Sequence, residues 1–233
     1  MTQLYNAGLY VTDGAKLYSG EFIVCCAHVF TWRDSDAVQA EVAKFHAGTR
    51  DGGLKAFVIK YREPDQNGIR WYAKDDPLLL LHNPKVQAIA ESAIGPARCL
   101  CIDLWHNPPN CKSKDPKWSQ SWHRDPEDSQ IVKVFVYFSD VDEQSGPFEY
   151  VWCSHLNWFD LMPPQPKGYN ENPVDVSQIP PALFAKVTGG PGTVAFCQTS
   201  GLHKGGHGEK ARTMAVITYV PEQSVARTLF EVR

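Results

Sequence analysis

The spacing of apolar positions changes part-way along the chain. Before residue 98 helical and extended periods are mixed. Val38, Val42 and Phe45 recur at intervals of four and three behind the cap-type residues Asp34-Ser35-Asp36, which predicts a helix that stops at Gly48. Asn83-Pro84 reads as an N-cap and first helical position, opening a second helix with Val86, Ile89, Ala90 and Ala93 inward and Gly95-Pro96 as its end. Glu21 to Phe30 reads as a strand. Leu54 to Arg62 and Ile69 to Lys74 read as two more, and the turn-prone Pro64-Asp65-Gln66-Asn67-Gly68 between them predicts a hairpin.

From Arg98 onward extended runs dominate, each closed by Gly or Pro. Arg98 to Trp105, Ile131 to Phe138, Thr193 to Cys197 and Ala211 to Val220 read as strands, with Ile131 to Phe138 the strongest by its β-branched and aromatic content. Such a pattern predicts a mainly β fold, a sandwich or barrel, with the N-terminal helices flanking one sheet. The Pro-, Lys- and Ser-rich stretch from Asn107 to Ser121 reads as an exposed loop delivering the chain to Trp122. Asn157 to Pro181, long and rich in proline, reads as a lid. Residues 222–233 carry little pattern.

Length and composition narrow the picture. The 233 residues suit one domain, with N-terminal helices and strands over roughly 1–97 and a β core over roughly 98–220. A hydrophobic fraction of 43 % beside 21 % charged residues is ordinary for a globular protein. The net charge of -3 supplies no basic field to draw nucleic acid or an anionic membrane surface. The N-terminus lacks the charged and apolar regions of a signal peptide, and no apolar run approaches membrane-spanning length, so a cytoplasmic location is expected. Seven cysteines with no Cys-x-x-Cys pair read as free thiols packed in the core.

Candidate chemistry gathers at His123-Arg124-Asp125. On an extended backbone an imidazole and a carboxylate two residues apart point to the same face, so one metal ion can take both. A second imidazole from a distant segment, His203 in Gly201-Leu202-His203-Lys204-Gly205-Gly206, would complete a two-His-one-carboxylate triad of the kind that serves non-haem Fe(II). His155 is a third candidate ligand, although its surroundings suit a structural hydrogen bond. Lys133, inside an apolar strand, either snorkels at a sheet edge or faces a wet interior that holds an anion. Arg212 opens another apolar strand, where a guanidinium calls for an anion; Glu209 is one partner in reach, a bound carboxylate the other.

These residues, taken in order, resemble the phytanoyl-CoA dioxygenase family of Fe(II)- and 2-oxoglutarate-dependent oxygenases. The likeness runs through His123-Arg124-Asp125, Lys133 to Asp142, Ser145-Gly146-Pro147-Phe148-Glu149-Tyr150, Ser154-His155, the Gly201 to Gly206 run and Arg212. It implies a double-stranded β-helix (a cupin-like jelly-roll), Fe(II) on His123, Asp125 and His203, and 2-oxoglutarate gripped by Arg212, with Lys133 and Thr193 as further cosubstrate residues. His207 competes with His203, but the glycine pattern is centred on His203. Relatives often carry a hydroxyl residue where this chain has Gly205, a loss that Thr193 or Thr199 would have to make good. The implied reaction uses O2 and hydroxylates an unactivated C-H bond of a small molecule, releasing succinate and CO2; Asp125 argues against halogenation. Rival readings are a jelly-roll metalloprotein that needs no 2-oxoglutarate, such as an isomerase, and an inactive binding module. For the substrate the sequence offers only Trp118, Trp122, Trp152 and Trp158, at a pocket rim or in the core, and Lys112, Lys114 and Lys117, as a basic rim or a solvated loop.

Overall fold

Alternation within the strands builds two faces from one sheet. The computed structural model describes residues 2–14, 17–18, 35–47, 58–110, 118–156, 174–206 and 208–233. The strand expected over Glu21 to Phe30, residues 54–57, Lys112, Lys114, Lys117, His207, Trp158 and residues 157–173 of the expected lid lie outside them. Among the described residues the order is α1 (Thr2–Ala7), β1 (Leu9–Asp13), α2 (Asp36–His46), β2 (Ile59–Lys60), β3 (Arg70–Tyr72), α3 (Pro84–Ile94), β4 (Ala97–Asn107), β5 (Val132–Tyr137), β6 (Phe148–Val151), β7 (Phe184–Val187), β8 (Thr193–Gln198), β9 (His203–Lys204), β10 (Arg212–Pro221) and β11 (Phe230–Val232). A six-stranded antiparallel sheet runs β1-β8-β5-β10-β4-β2, and a three-stranded sheet runs β7-β6-β9.

On the outer face of the large sheet Val132, Val134, Val136, Phe196, Ala215 and Ile217 meet Leu4 of α1, Leu78 and Leu81 of a short 3-10 turn, and Val86 and Ala90 of α3. On the inner face Phe135, Tyr137, Ala195, Cys197, Met214 and Val216 pack against Phe148, Tyr150 and Val187 of the small sheet. The two sheets form the jelly-roll expected from the sequence. The inner face also receives Lys133, which the alternation of β5 turns away from Val132 and Val134. No helix among the described residues is long and apolar enough to cross a membrane.

Helix α3 starts and stops as its punctuation predicts. The Asn83 side chain accepts from the backbone N-H groups of Lys85 and Val86, Pro84 follows, and Gly95 ends the helix at φ 77°. Helix α2 is capped in the same way by Ser35, whose Oγ accepts from Val38 N. Among the described residues the predicted hairpin does not form. Its turn does, with Asp65 Oδ1 accepting from Asn67 N and Ile69 N. Its strands, however, go separate ways: β2 lies on the edge of β4, with Ile59 opposite His106, and β3 pairs in parallel with β11. A turn is a local decision, whereas these short strands carry too little pattern to choose each other over an open edge nearby. Five strands come from segments where the sequence pattern assigns none: β1 beside β8, β11 beside β3, and β6, β7 and β9, which make up the whole small sheet.

Candidate metal centre

Within Trp122-His123-Arg124-Asp125 the side chains alternate. His123 and Asp125 are 3 % and 1 % exposed, and His203 is 4 % exposed beside them. Reciprocal backbone bonds, His123 N to His203 O and His203 N to His123 O, both 3.0 Å, zip the two segments together and bring the imidazole centroids to 4.2 Å. Asp125 N donates to Thr199 O at 2.9 Å, which ties the carboxylate to the same wall. Arg124 faces away and donates to the carbonyls of Ser154 and Ser200 at 2.6 and 2.5 Å. Trp122, also outward, meets the edge of Phe184 at 5.3 Å and carries Lys204 Nζ over its ring at 5.0 Å.

The donor set is prepared for a cation. Each histidine has its Nδ1 within hydrogen-bond distance of a backbone carbonyl, His123 of Ser121 O at 2.8 Å and His203 of Gly201 O at 2.9 Å. Those carbonyls require Nδ1-H and so leave the Nε2 lone pairs directed inward. His123 Nε2 stands 3.8 Å from Asp125 Oδ1, and His203 Nε2 stands 3.6 Å from Oδ2. All three residues offer ligand atoms within 4.8 Å of one another. Burial pushes the His123 pKa down to about 3, helped by the neighbouring imidazole, and burial lowers that of His203 too. Burial alone would raise the Asp125 pKa; Lys133 and the two histidines outweigh it and keep the carboxyl ionised. Two neutral imidazoles and a carboxylate are the protonation states a divalent metal needs.

Lys133 resolves into the second of its two readings. Strand β5 lies between β8 and β10, so there is no edge to snorkel from, and the anion that Lys133 faces is Asp125, with Nζ 2.6 Å from Oδ2 and 3.6 Å from Glu127 Oε1. Arg212, 3 % exposed at the start of β10, donates from Nε to Asn107 Oδ1 at 3.1 Å and from its terminal nitrogens to the carbonyls of Gly146 and Gly206. His123, Asp125, His203, Lys133 and Arg212 open onto one cavity, together with Asn107, Ser119 and Gly205; its apolar walls are Val58, Trp105, Phe135, Phe148 and Met214.

Thr193 is not part of this lining. It sits at the start of β8, its side chain pressed against Gly189. Thr199 is fully buried, and its carbonyl rather than its hydroxyl serves Asp125. The hydroxyl residue that does reach the cavity is Ser119, whose carbonyl accepts from Gly205 N at 2.8 Å. His155 stands 3.4 Å from the Tyr150 hydroxyl and belongs to no metal-type cluster among the described residues. Trp152 packs beside the inner core, and among the described residues Trp105 lines the cavity. Asn107, Ser119 and Trp105 escaped the sequence reading. None of them carries a sequence signal; Asn107 comes to the site as the residue opposite Arg212 in the β4-β10 register.

The glycines around His203 have a packing origin. A Cβ on Gly201 would fall on the Tyr150 hydroxyl and Ser154 Oγ, and one on Gly206 would fall on the backbone of Gly146 and Pro147. Ser154 Oγ meanwhile accepts from Leu202 N at 2.7 Å. The Ser145-Gly146-Pro147, Ser154-His155 and Gly201 to Gly206 motifs thus interlock as one wall.

The sequence matches no family model and no curated protein. Solved structures match over nearly the whole chain. AviO1 from Streptomyces viridochromogenes Tue57 superposes with a TM-score of 0.60 at 14 % identity, covering 96 % of this chain and 94 % of that one. The epimerase SnoN, in complex with Fe3+, alpha ketoglutarate and nogalamycin RO, gives 0.59 at 19 % identity, covering 97 % and 84 %. HygX from Streptomyces hygroscopicus, with nickel, 2-oxoglutarate and hygromycin B bound, gives 0.53 at 15 % identity, covering 95 % and 87 %. At such identities the likeness establishes a shared fold. Two of these neighbours carry a metal and 2-oxoglutarate.

Proposed function

We propose that this chain is a non-haem Fe(II)- and 2-oxoglutarate-dependent oxygenase that hydroxylates a C-H bond of a small molecule with release of succinate and CO2. The observation that carries the reading is the convergence of His123, Asp125, His203 and Arg212 on a single cavity. In it the three donors would hold the metal from one side, which would leave room for a 2-oxo acid and O2. Bound together, metal and cosubstrate supply the oxidising power for the C-H bond. Arg212 takes the distal carboxylate of 2-oxoglutarate in a bidentate pair, a geometry that a planar guanidinium matches and an ammonium does not. Asn107 fixes the guanidinium plane through Nε. Trp105, Phe135, Phe148 and Met214 exclude water from the reacting centre. The phytanoyl-CoA dioxygenase likeness supports this assignment through its motifs.

A second reading is epimerisation with the same cofactors, favoured by the likeness to SnoN, a non-heme alpha ketoglutarate dependent epimerase. One experiment separates the two. Protein purified without O2 is supplied with Fe(II), 2-oxoglutarate, O2 and a metabolite extract, and succinate and product masses are followed. Succinate with a product heavier by one oxygen supports hydroxylation, whereas an altered product of unchanged mass supports epimerisation. A chain that binds Fe(II) but forms no succinate with any fraction belongs to the 2-oxoglutarate-independent class.

A further inference from the structure

Lys133 is the charged side chain the large sheet has least reason to bury. It sits in an interior strand between Val132 and Val134, is 8 % exposed, and places Nζ 2.6 Å from Asp125 Oδ2. Glu127 Oε1, at 3.6 Å, supports the ammonium from the other side. The two oxygens of Asp125 are therefore unlike. Oδ1 is the one paired with His123 Nε2 at 3.8 Å, while Oδ2 is shared between the ammonium and the neighbourhood of His203. A carboxylate binds a metal through one oxygen or both. An ammonium held close to one of them competes with a metal ion for that oxygen and biases the carboxylate plane.

Resting on the metal-binding reading above, we propose that Lys133 is a positioning residue that reserves Oδ2 of Asp125, making this carboxylate a one-oxygen ligand through Oδ1. A coordination position that a chelating aspartate would fill then stays open to the cosubstrate. Charge follows the same arrangement. Lys133 offsets part of the carboxylate charge around the triad, so more of a divalent ion's charge is left for a dianionic 2-oxo acid, in a site where burial weakens screening. A neutral side chain of the same length would pack as well and do neither.

Co(II), a spectroscopic stand-in for Fe(II), tests this without turnover. Wild type, Lys133→Met and Lys133→Arg are titrated with Co(II) alone in the absence of O2, and then with 2-oxoglutarate. Lys133→Met is expected to bind Co(II) at least as tightly as wild type, because a like charge has gone, but with changed visible bands as the second carboxylate oxygen enters. Its 2-oxoglutarate affinity falls by about tenfold, the equivalent of one lost charge interaction. Lys133→Arg returns both properties toward wild type. Identical bands in Lys133→Met and wild type overturn the proposal. So does loss of Co(II) from both variants, which makes Lys133 a packing element only. If Lys133→Met does not fold, crystals of Ni(II)-loaded wild type decide. Metal on Oδ1 with Oδ2 on Lys133 supports the assignment, and metal on both oxygens, or on Oδ2, overturns it. A wild type that binds Co(II) yet never consumes 2-oxoglutarate defeats the proposed function and leaves the cobalt comparison to judge Lys133.

Discussion

The two faces of the six-stranded sheet are made from alternate residues of the same strands, yet they answer to different demands. The outer face is mainly aliphatic and aromatic, covered by α1, α3 and the turn at 77–81, with the polar pair His106 and Thr213 bonded to each other at 2.9 Å. Inside, the same strands bury Lys133, Arg212 and Thr218 beside Phe135 and Met214. Burying apolar groups stabilises a fold, whereas burying charges costs unless they are paired. Stability is therefore concentrated outside, and the inner face carries costs that only binding chemistry explains.

Several substitutions and conditions sharpen that contrast. The largest effect is expected from His203→Ala, which should abolish Co(II) or Fe(II) binding and succinate formation while the protein keeps its far-UV circular dichroism. Arg212→Ala should come next. Removing one partner of a buried charge pair costs about 2 to 5 kcal/mol, so 2-oxoglutarate affinity should fall by roughly 30-fold to several thousandfold with the metal retained. Arg212→Lys should recover only part. Titration of the metal-to-2-oxoglutarate charge-transfer absorbance without O2 measures both, and an unchanged affinity in Arg212→Ala would remove that residue from the site.

Acid should then act through the inner face. The folded, metal-free protein holds His123 neutral down to about pH 3, whereas the unfolded chain protonates it near pH 6.5. Below 6.5 the unfolded state binds the extra proton, so this contribution is fully present above about pH 6.5 and is lost as the pH falls toward 3. The loss at pH 5 should be on the order of 2 kcal/mol, read as a lower urea midpoint than at pH 7.5. A midpoint that does not move between those pH values would show that His123 is not held neutral. The smallest effect belongs to the outer face. Ile217→Val, at a fully buried position, should cost about 0.5 to 1.5 kcal/mol of stability and leave Co(II) affinity unchanged.

What the sequence made legible follows the same division. Strands β4, β5, β8 and β10 of the large sheet, the capped helix at Asn83 and the His123-Asp125 step could all be read, because each rests on a short-range pattern: an extended apolar run, a cap, or a His-x-Asp step on extended backbone; the small sheet β7-β6-β9 could not, and His203 joins the step only through the glycine motif around it. The hairpin expected around Asp65 could not, since pairing of β2 with β4 and of β3 with β11 depends on which edges lie open in three dimensions. Strand β11 carries almost no apolar alternation and was invisible for that reason. Lys133 was recognised as anomalous, but its partner depends on the fold of the segment before it. Thr193 is expected at the cosubstrate only for its hydroxyl, as a replacement for the one missing at Gly205; its strand starts beside Gly189, outside the cavity lining. Asn107 and Ser119 belong to no motif and enter the site only through register and close packing.

The backbone bridge between His123 and His203 also bears on how the protein matures. A chain still emerging from the ribosome presents His123 and Asp125 long before His203 exists, and two donors on a flexible segment make a weak site. The third donor arrives only when the strands around residue 203 close against those around 123, a long-range event that carries its own loop-closure cost. On the proposed function, metal capture would thereby be postponed until the two sheets have closed, and a metal ion would meet an already shaped cage rather than a pliable peptide. An ion that binds the folded state and not the unfolded one would act as a late clasp whose strength grows with the metal supply.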